Sequence, residues 1–234
     1  MKKKILLEIS VESVEAAVAA ERGGAGRIEL CSELLVGGLT PQTALLRAVR
    51  QQIQIPIFVM IRPRAGDFVY SPAEFAQMKE SIAEARDAGV SGLVLGILKP
   101  DCTVDIDRTR ELFELARPLP VTFHRAFDEC ADLSQALEDV VRSGASRILT
   151  SGGAATAPEG AGKIEMLVAA AGERLTIVPG AGINMRNILQ IAAATGAREF
   201  HSGLSSVLPH PSTDYLQIEK EVRAMARRLS VFCE

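Results

Sequence analysis

Gly24-Ala25-Gly26-Arg27-Ile28-Glu29-Leu30-Cys31 ends a helical stretch on a glycine and, two residues later, opens a short β-rich run. The same event recurs at Gly89-Val-Ser-Gly-Leu93, Gly144-Ala-Ser-Arg-Ile148 and Gly196-Ala-Arg-Glu-Phe200, at spacings of 65, 55 and 52 residues. Glycine just past a helix takes the left-handed conformation that turns the chain out of it, so each copy marks a helix-to-strand junction. Two strand-helix units fit into each period. The intervening strands 3 and 5 open differently, with Ile55-Pro56-Ile57 and Leu119-Pro120-Val121.

Working outward from these junctions, eight β-rich runs alternate with longer Ala/Leu/Glu/Arg segments of helical spacing. The expected strands are Ile5 to Ile9, Arg27 to Leu30, Ile57 to Ile61, Gly92 to Gly96, Val121 to His124, Arg147 to Thr150, Leu175 to Val178 and Arg198 to His201. Thr40-Pro41 and Ser71-Pro72-Ala73-Glu74 read as helix starts, the second as a capping box, and Asp132 with Gln135 repeats the pattern. Eight alternating units in 234 residues predict a (β/α)8 barrel, with residues 1–234 forming a single domain. A doubly wound open sheet is the alternative. Its Gly-x-Gly-x-x-Gly fingerprint is missing after strand 1, where the chain reads Ile9-Ser-Val-Glu12.

Composition narrows the functions. With 26 basic against 29 acidic side chains and a net charge of −3, no excess of charge recruits nucleic acid or an anionic membrane. Aromatics at 4%, with no Trp, leave no stacking platform for single-stranded nucleic acid. No apolar run reaches the roughly 18 residues that span a bilayer. Met1-Lys-Lys-Lys4 is followed by an apolar run that stops at Glu8, with no cleavage site after it. Cys31, Cys102, Cys130 and Cys233 are scattered without a Cys-x-x-Cys pair. Reduced thiols and a cytoplasmic location follow as expectations, and the expected partner is a small anionic ligand.

Side chains alternate across a strand, so polar residues pointing into a barrel are the ones that need a reason. Strand 1 ends Glu8-x-Ser10, strand 2 Glu29-x-Cys31 and strand 8 Glu199-x-His201, and barrel closure makes these strands neighbours. If the three carboxylates point inward they meet, and they then need counter-charges, a metal or raised pKa values. Arg27, Arg62, Arg64 and Arg125 are at hand, so a barrel floor of ion pairs competes with a catalytic reading of Glu8 and Glu29. His124 and His201 stand at C-terminal strand ends, where barrels place acids, bases and ligands, whereas His210 lies in a Pro-flanked loop. Cys31 offers a nucleophile or a soft ligand for Cu(I) or Zn, or is merely a small buried hydrophobe. Pro179-Gly180-Ala181-Gly182 after strand 7 and Ser202-Gly203 after strand 8 mark a phosphate-type anion site, with Arg62, Arg64 and Arg125 supplying charge.

Arg27-Ile-Glu-Leu-Cys31, Gly37-Gly-Leu-Thr-Pro41, Ile61-Arg-Pro-Arg64 with Gly66-Asp-Phe68 and Tyr70, Val121-Thr-Phe-His-Arg-Ala-Phe-Asp128, Arg147-Ile-Leu-Thr-Ser-Gly152, Gly180-Ala-Gly182 with Asn187, and Glu199-Phe-His-Ser202 together carry a resemblance. The chain resembles the CutC family, called copper homeostasis proteins, over nearly its whole length. The resemblance implies one cytoplasmic TIM barrel that self-associates as a dimer or tetramer, with a link to copper and no settled reaction. Family members often carry a cysteine at the end of strand 1 as well as strand 2, the pair proposed to bind copper. Here the first position is Ser10, which leaves Cys31 with His124, His201 or a Met as Cu(I) ligands within one subunit.

Two functions are therefore expected side by side. One is a copper-handling protein with Cys31 and His201 as metal ligands. The other is a barrel enzyme for a small anionic or phosphorylated compound. In that reading Glu8, Glu29 and His124 are acid/base groups; Arg62, Arg64, Arg125, Gly180, Gly182 and Ser202 hold the anion, and Asp67, Tyr70 and Asp128 close over it. A partner-binding scaffold would show an exposed apolar patch and an ordinary pocket instead.

Overall fold

Runs such as Ile57–Met60 and Gly92–Leu95 are buried on both faces, an environment that a parallel sheet covered by helices provides. The computed structural model describes residues 5–209 and 212–232, so His210 and Cys233 lie outside the described residues. The strands are β1 (Leu6–Val11), β2 (Arg27–Leu30), β3 (Ile57–Met60), β4 (Gly92–Leu95), β5 (Val121–Phe123), β6 (Arg147–Thr150), β7 (Thr176–Pro179) and β8 (Glu199–Ser202). They alternate with helices α1 (Val14–Gly23), α2 (Thr43–Gln52), α3 (Pro72–Asp87), α4 (Ile106–Ala116), α5 (Leu133–Ser143), α6 (Ala161–Ala171), α7 (Ile188–Thr195) and α8 (Tyr215–Phe232). All strand pairs are parallel, in the order β7-β6-β5-β4-β3-β2-β1-β8, and the sheet curls into a nearly closed (β/α)8 barrel. At the seam between β7 and β8, a methyl group on Gly180 would lie 3.5 Å from His201 Cβ.

Parity divides each strand. Leu7, Ile9, Ile28, Val59, Leu93 and Phe200 belong to the core between sheet and helices. The opposite parity fills the barrel, where Cys31, Phe58, Met60 and Val94 form a small apolar cluster of their own. Glycine makes room for them: a methyl group on Gly92 would sit 2.4 Å from the Phe58 ring.

Local signals account for most boundaries. Ser71 and Glu74 form the expected capping box of α3, and Gly24, Gly144 and Gly196 cap α1, α5 and α7 in the left-handed conformation. Asp132 caps α5, but the Gln135 side chain reaches forward to Asp139 at 2.8 Å instead of back to the cap. The helix start at Thr40-Pro41 is corrected: α2 begins at Thr43, because the Thr40 hydroxyl accepts the Arg62 backbone N–H at 2.8 Å. β1 runs two residues further than Ile9, to Val11, and places Ser10 within the strand. β5 stops at Phe123, and His124 caps the 3-10 turn Arg125–Glu129.

The Phe58 ring lies between the Arg27 and Arg147 guanidiniums, at 4.6 and 4.8 Å, and cannot swing away from position 92. Gly92→Ala is expected to destabilise the fold by about 1–3 kcal/mol through overpacking. Urea unfolding measures it, and a loss below about 0.5 kcal/mol would contradict this packing.

Candidate functional site

The ladder sets Glu8 of β1 opposite Arg27 of β2 on one side and His201 of β8 on the other. Arg27 Nε donates to Glu8 Oε2, and Arg27 Nη2 donates to Glu199 Oε2 at 2.7 Å. Arg147 Nε donates to the same Glu199 oxygen at 3.1 Å. Two guanidiniums and two carboxylates thus close a floor across the barrel. Glu199 pairs with Leu6 in the ladder, one step below Glu8, so it joins this floor rather than meeting Glu29.

Above the floor, one ligand atom each from Glu8, Glu29 and His201 lies within 4.8 Å of the others. Burial alone would raise the Glu8 carboxyl, but the Arg27 charge and the His201 contact outweigh it and hold the group at about 2. Glu8 is therefore the anion to which His201 Nδ1 donates, at 2.8 Å. Burial lowers the His201 pKa, yet Glu29 and Glu8 reverse the effect and raise it. Glu29 is pushed up by burial and by Glu8. Its Oε1 accepts the Cys31 thiol at 3.4 Å, and its Oε2 has no partner among the described residues.

A cavity of about 440 Å³ lies over this cluster at the C-terminal ends of the strands, lined by Glu29, Met60, Arg62, Phe68, His124 and His201, among others. Arg62 is 5% exposed and has no carboxylate within ion-pair distance among the described residues. Its Nη1 donates to the Val36 and Gly38 carbonyls at 2.9 and 3.2 Å, its Nη2 donates to Gly66 O at 2.8 Å, and its Nε has no acceptor. Phe68 lies against both the Arg62 guanidinium and the His124 ring, each at 4.8 Å.

His124 Nδ1 accepts the Ala126 N–H at 3.2 Å, which places the proton of the neutral ring on Nε2, and Nε2 has no partner. Burial, assisted by the Arg62 charge, lowers this histidine to about 3. The cavity thus combines a buried cation, a neutral N–H donor and a carboxyl whose pKa is raised. An anion or a carbonyl oxygen fits the first two, and proton transfer suits the third.

Other expected site residues are placed elsewhere. Arg64 does not line the cavity. Its Nε donates to Glu74 at 2.6 Å and its Nη2 to Asp67 at 2.8 Å, so it ties the loop after β3 to α3. Ser202 is buried, with its hydroxyl donating to Ile183 O at 2.6 Å and accepting from Leu204 N at 3.2 Å. The Gly180 N–H is committed to Thr150 O at 2.9 Å. Gly182 and Arg125 do line the cavity. Arg125 is shared with Asp128 at 2.9 Å and Ser151 at 3.2 Å. Asp128 also accepts the Ser151 and Gly153 N–H groups, so it knits the loop after β6. Tyr70 is buried with the Arg64 guanidinium 5.3 Å from its ring centre, and Asp67 accepts from Val69 N as well as from Arg64. Phe68 was not foreseen as a site residue; its signal was an aromatic in an unusually long loop after strand 3.

The three clustered His and carboxylate donors are not a soft Cu(I) set. Cys31 is fully buried among Phe58, Met60 and Val94, and burial together with Glu29 pushes its thiol well above the ordinary range. Among the described residues the group of three potential donors is Glu8, Glu29 and His201, without Cys31. Oxygen-rich sets suit harder divalent ions than Cu(I), and here one carboxylate already serves Arg27.

The two described histidines are expected to behave oppositely. In a histidine-detected nitrogen NMR titration, His124 stays neutral and protonated on Nε2 from pH 8 to pH 5, its pKa being about 3. His201 titrates above the ordinary 6.5. The stability that His201 contributes is therefore full below pH 6.5 and is lost as pH rises through its folded value. His124 acts the other way and weakens the fold as pH falls from 6.5 toward 3. Titration of His124 near 6.5 would contradict this geometry.

A sequence profile of the CutC family matches residues 5–206. A Mus musculus protein named copper homeostasis protein cutC homolog is 50% identical over 201 residues, covering 86% of this chain and 74% of its own length. A CutC family protein of Chromobacterium violaceum is 49% identical over 197 residues, covering 84% of this chain and 80% of its own. The crystal structure of the CutC protein from Streptococcus agalactiae superimposes with a TM-score of 0.81 at 32% identity, covering 85% of this chain and 98% of that one. The chain belongs to the CutC family.

Proposed function

We propose that this CutC-family barrel binds and transforms a small anionic compound at the C-terminal face, and that its part in copper homeostasis runs through that compound rather than through Cu(I) held at Cys31. The observation that carries the reading is Arg62: among the described residues its buried guanidinium has no carboxylate in ion-pair distance and an Nε without an acceptor, and the Nε2–H of His124, which lines the same cavity, has no partner either. The Val36, Gly38 and Gly66 carbonyls solvate this charge in part, and an anionic ligand in the cavity would supply the counter-charge they lack.

The chemistry that fits is proton transfer next to a carbonyl or phosphate-bearing carbon. Arg62 holds the anionic group, and His124 donates from Nε2 to the oxygen on which charge develops, as a neutral imidazole does best. Glu29 takes the proton at Oε2, with His201 and Glu8 behind it setting its charge. A cytoplasmic setting agrees with the free thiols Cys31, Cys102 and Cys130. A homo-oligomer follows from the family resemblance.

Calorimetric titration with inorganic phosphate and a panel of small phosphorylated compounds tests the reading, alongside anaerobic Cu(I) competition against a calibrated chelator. The expected result is saturable anion binding weakened at least about tenfold by Arg62→Met, with Cu(I) uptake indifferent to Cys31→Ser. Stoichiometric Cu(I) binding lost in Cys31→Ser, together with no anion binding, would contradict it.

A further inference from the structure

A second cavity, of about 370 Å³, lies between the end of β1, helix α1, the 3-10 turn Leu34–Val36, residues 203–208 and the start of α8. Its apolar walls include Ile9, Val11, Leu204, Leu208 and Ile218. Several of the polar side chains on its surface are spent within the protein. Glu12 accepts Leu34 N at 3.0 Å, Ser13 caps α1 through Ala16 N at 3.1 Å, and Ser32 donates to Thr40 O at 3.2 Å. A guest there gains by burying apolar surface rather than by hydrogen bonding.

This cavity and the cavity over Arg62 share Leu34, Leu35 and Gly203. Leu35 is 73% exposed, unusual for a large apolar side chain set between two cavities. Gly203 keeps the partition thin: a methyl group there would come within 3.1 Å of Ser10 Oγ. Charge distinguishes the two ends. Glu12 and Glu33 line the apolar cavity with no cation among its described lining residues, whereas Arg62 and Arg125 accompany Glu29 and Glu129 in the other.

We infer that the two cavities are halves of one bipartite site whose ligand carries an anionic head, seated at Arg62 and His124, and a short apolar tail packed against Leu34, Leu35, Leu204 and Leu208. The inference rests on the anion reading of the C-terminal face and narrows its substrate class to small amphiphilic anions. Glu12 and Glu33 repel an anionic head from the tail end, which fixes the direction of binding. The volume admits one short alkyl chain or a single ring, so the ligand is a soluble compound rather than a two-chain lipid.

Calorimetric titration with inorganic phosphate and the n-alkyl phosphates from methyl to hexyl tests this, with the matching n-alkyl alcohols as controls. Affinity is expected to rise by up to about fourfold per methylene until the cavity is full. Leu35→Ser, a change at an exposed position that leaves the fold intact, is expected to flatten that slope. Arg62→Met is expected to weaken all the phosphates alike and to leave the slope unchanged. Phosphate binding with no dependence on chain length would overturn the bipartite site while leaving the anion reading in place. Alcohols that bind as tightly as the phosphates would also overturn it, since the head would then contribute nothing. Failure of every phosphate to bind would overturn both.

Discussion

Arg27 is the residue on which the barrel interior depends. Its guanidinium, 3% exposed, joins Glu8 of β1 to Glu199 of β8, and Arg147 completes the set from β6. Removing such a group from water costs several kcal/mol, and breaking a buried pair by deleting one partner typically costs about 3–5 kcal/mol. The floor closes with two positive and two negative charges, Arg27 and Arg147 against Glu8 and Glu199. Because Arg27 keeps Glu8 ionised, Glu8 can orient His201, and His201 in turn faces Glu29.

Charge balance in the tier above follows from that closure. With one proton shared between them, Glu29 and His201 carry no net charge, and Arg62, with no carboxylate in ion-pair distance among the described residues, is then the cation in excess. The same guanidinium helps to keep His124 neutral, and the turn that follows β5 aims a backbone N–H at Nδ1 to fix the tautomer. The top of the barrel therefore holds a cation in excess, a neutral donor and a carboxyl whose pKa is raised, the combination on which the proposed anion site rests. The Cys31 thiol is buried and donates to Glu29, and burial with the Glu29 charge raises its pKa, which disfavours the thiolate form.

Barrel architecture was legible because glycine-capped helices and period-2 strands are local signals, and strand parity correctly put Glu8, Glu29 and His201 on the inner face. Parity gives the face of a residue but not its height. Glu199 shares the inner parity, yet the stagger of β8 against β1 sets it opposite Leu6, a step too low to meet Glu29. The fates of Arg64 and Ser202 were illegible for another reason: both sit beside the expected site in sequence, but a carboxylate from α3 and a carbonyl from residue 183 claim them. No spacing rule reports such partners. The buried state of Cys31 depends on Phe58, Met60 and Val94 from two other strands, which likewise only the folded chain reveals.

An excess cation beside a neutral histidine is the proposed seat for an anion at the top of the barrel. Crystals soaked in tungstate, an anomalous scatterer of phosphate-like shape, test it most directly. The strongest anomalous peak is expected inside the cavity, within hydrogen-bond distance of Arg62 and His124, and is expected to vanish in Arg62→Met crystals. Peaks confined to exposed arginines on the outer helices, with none in the cavity, would contradict it.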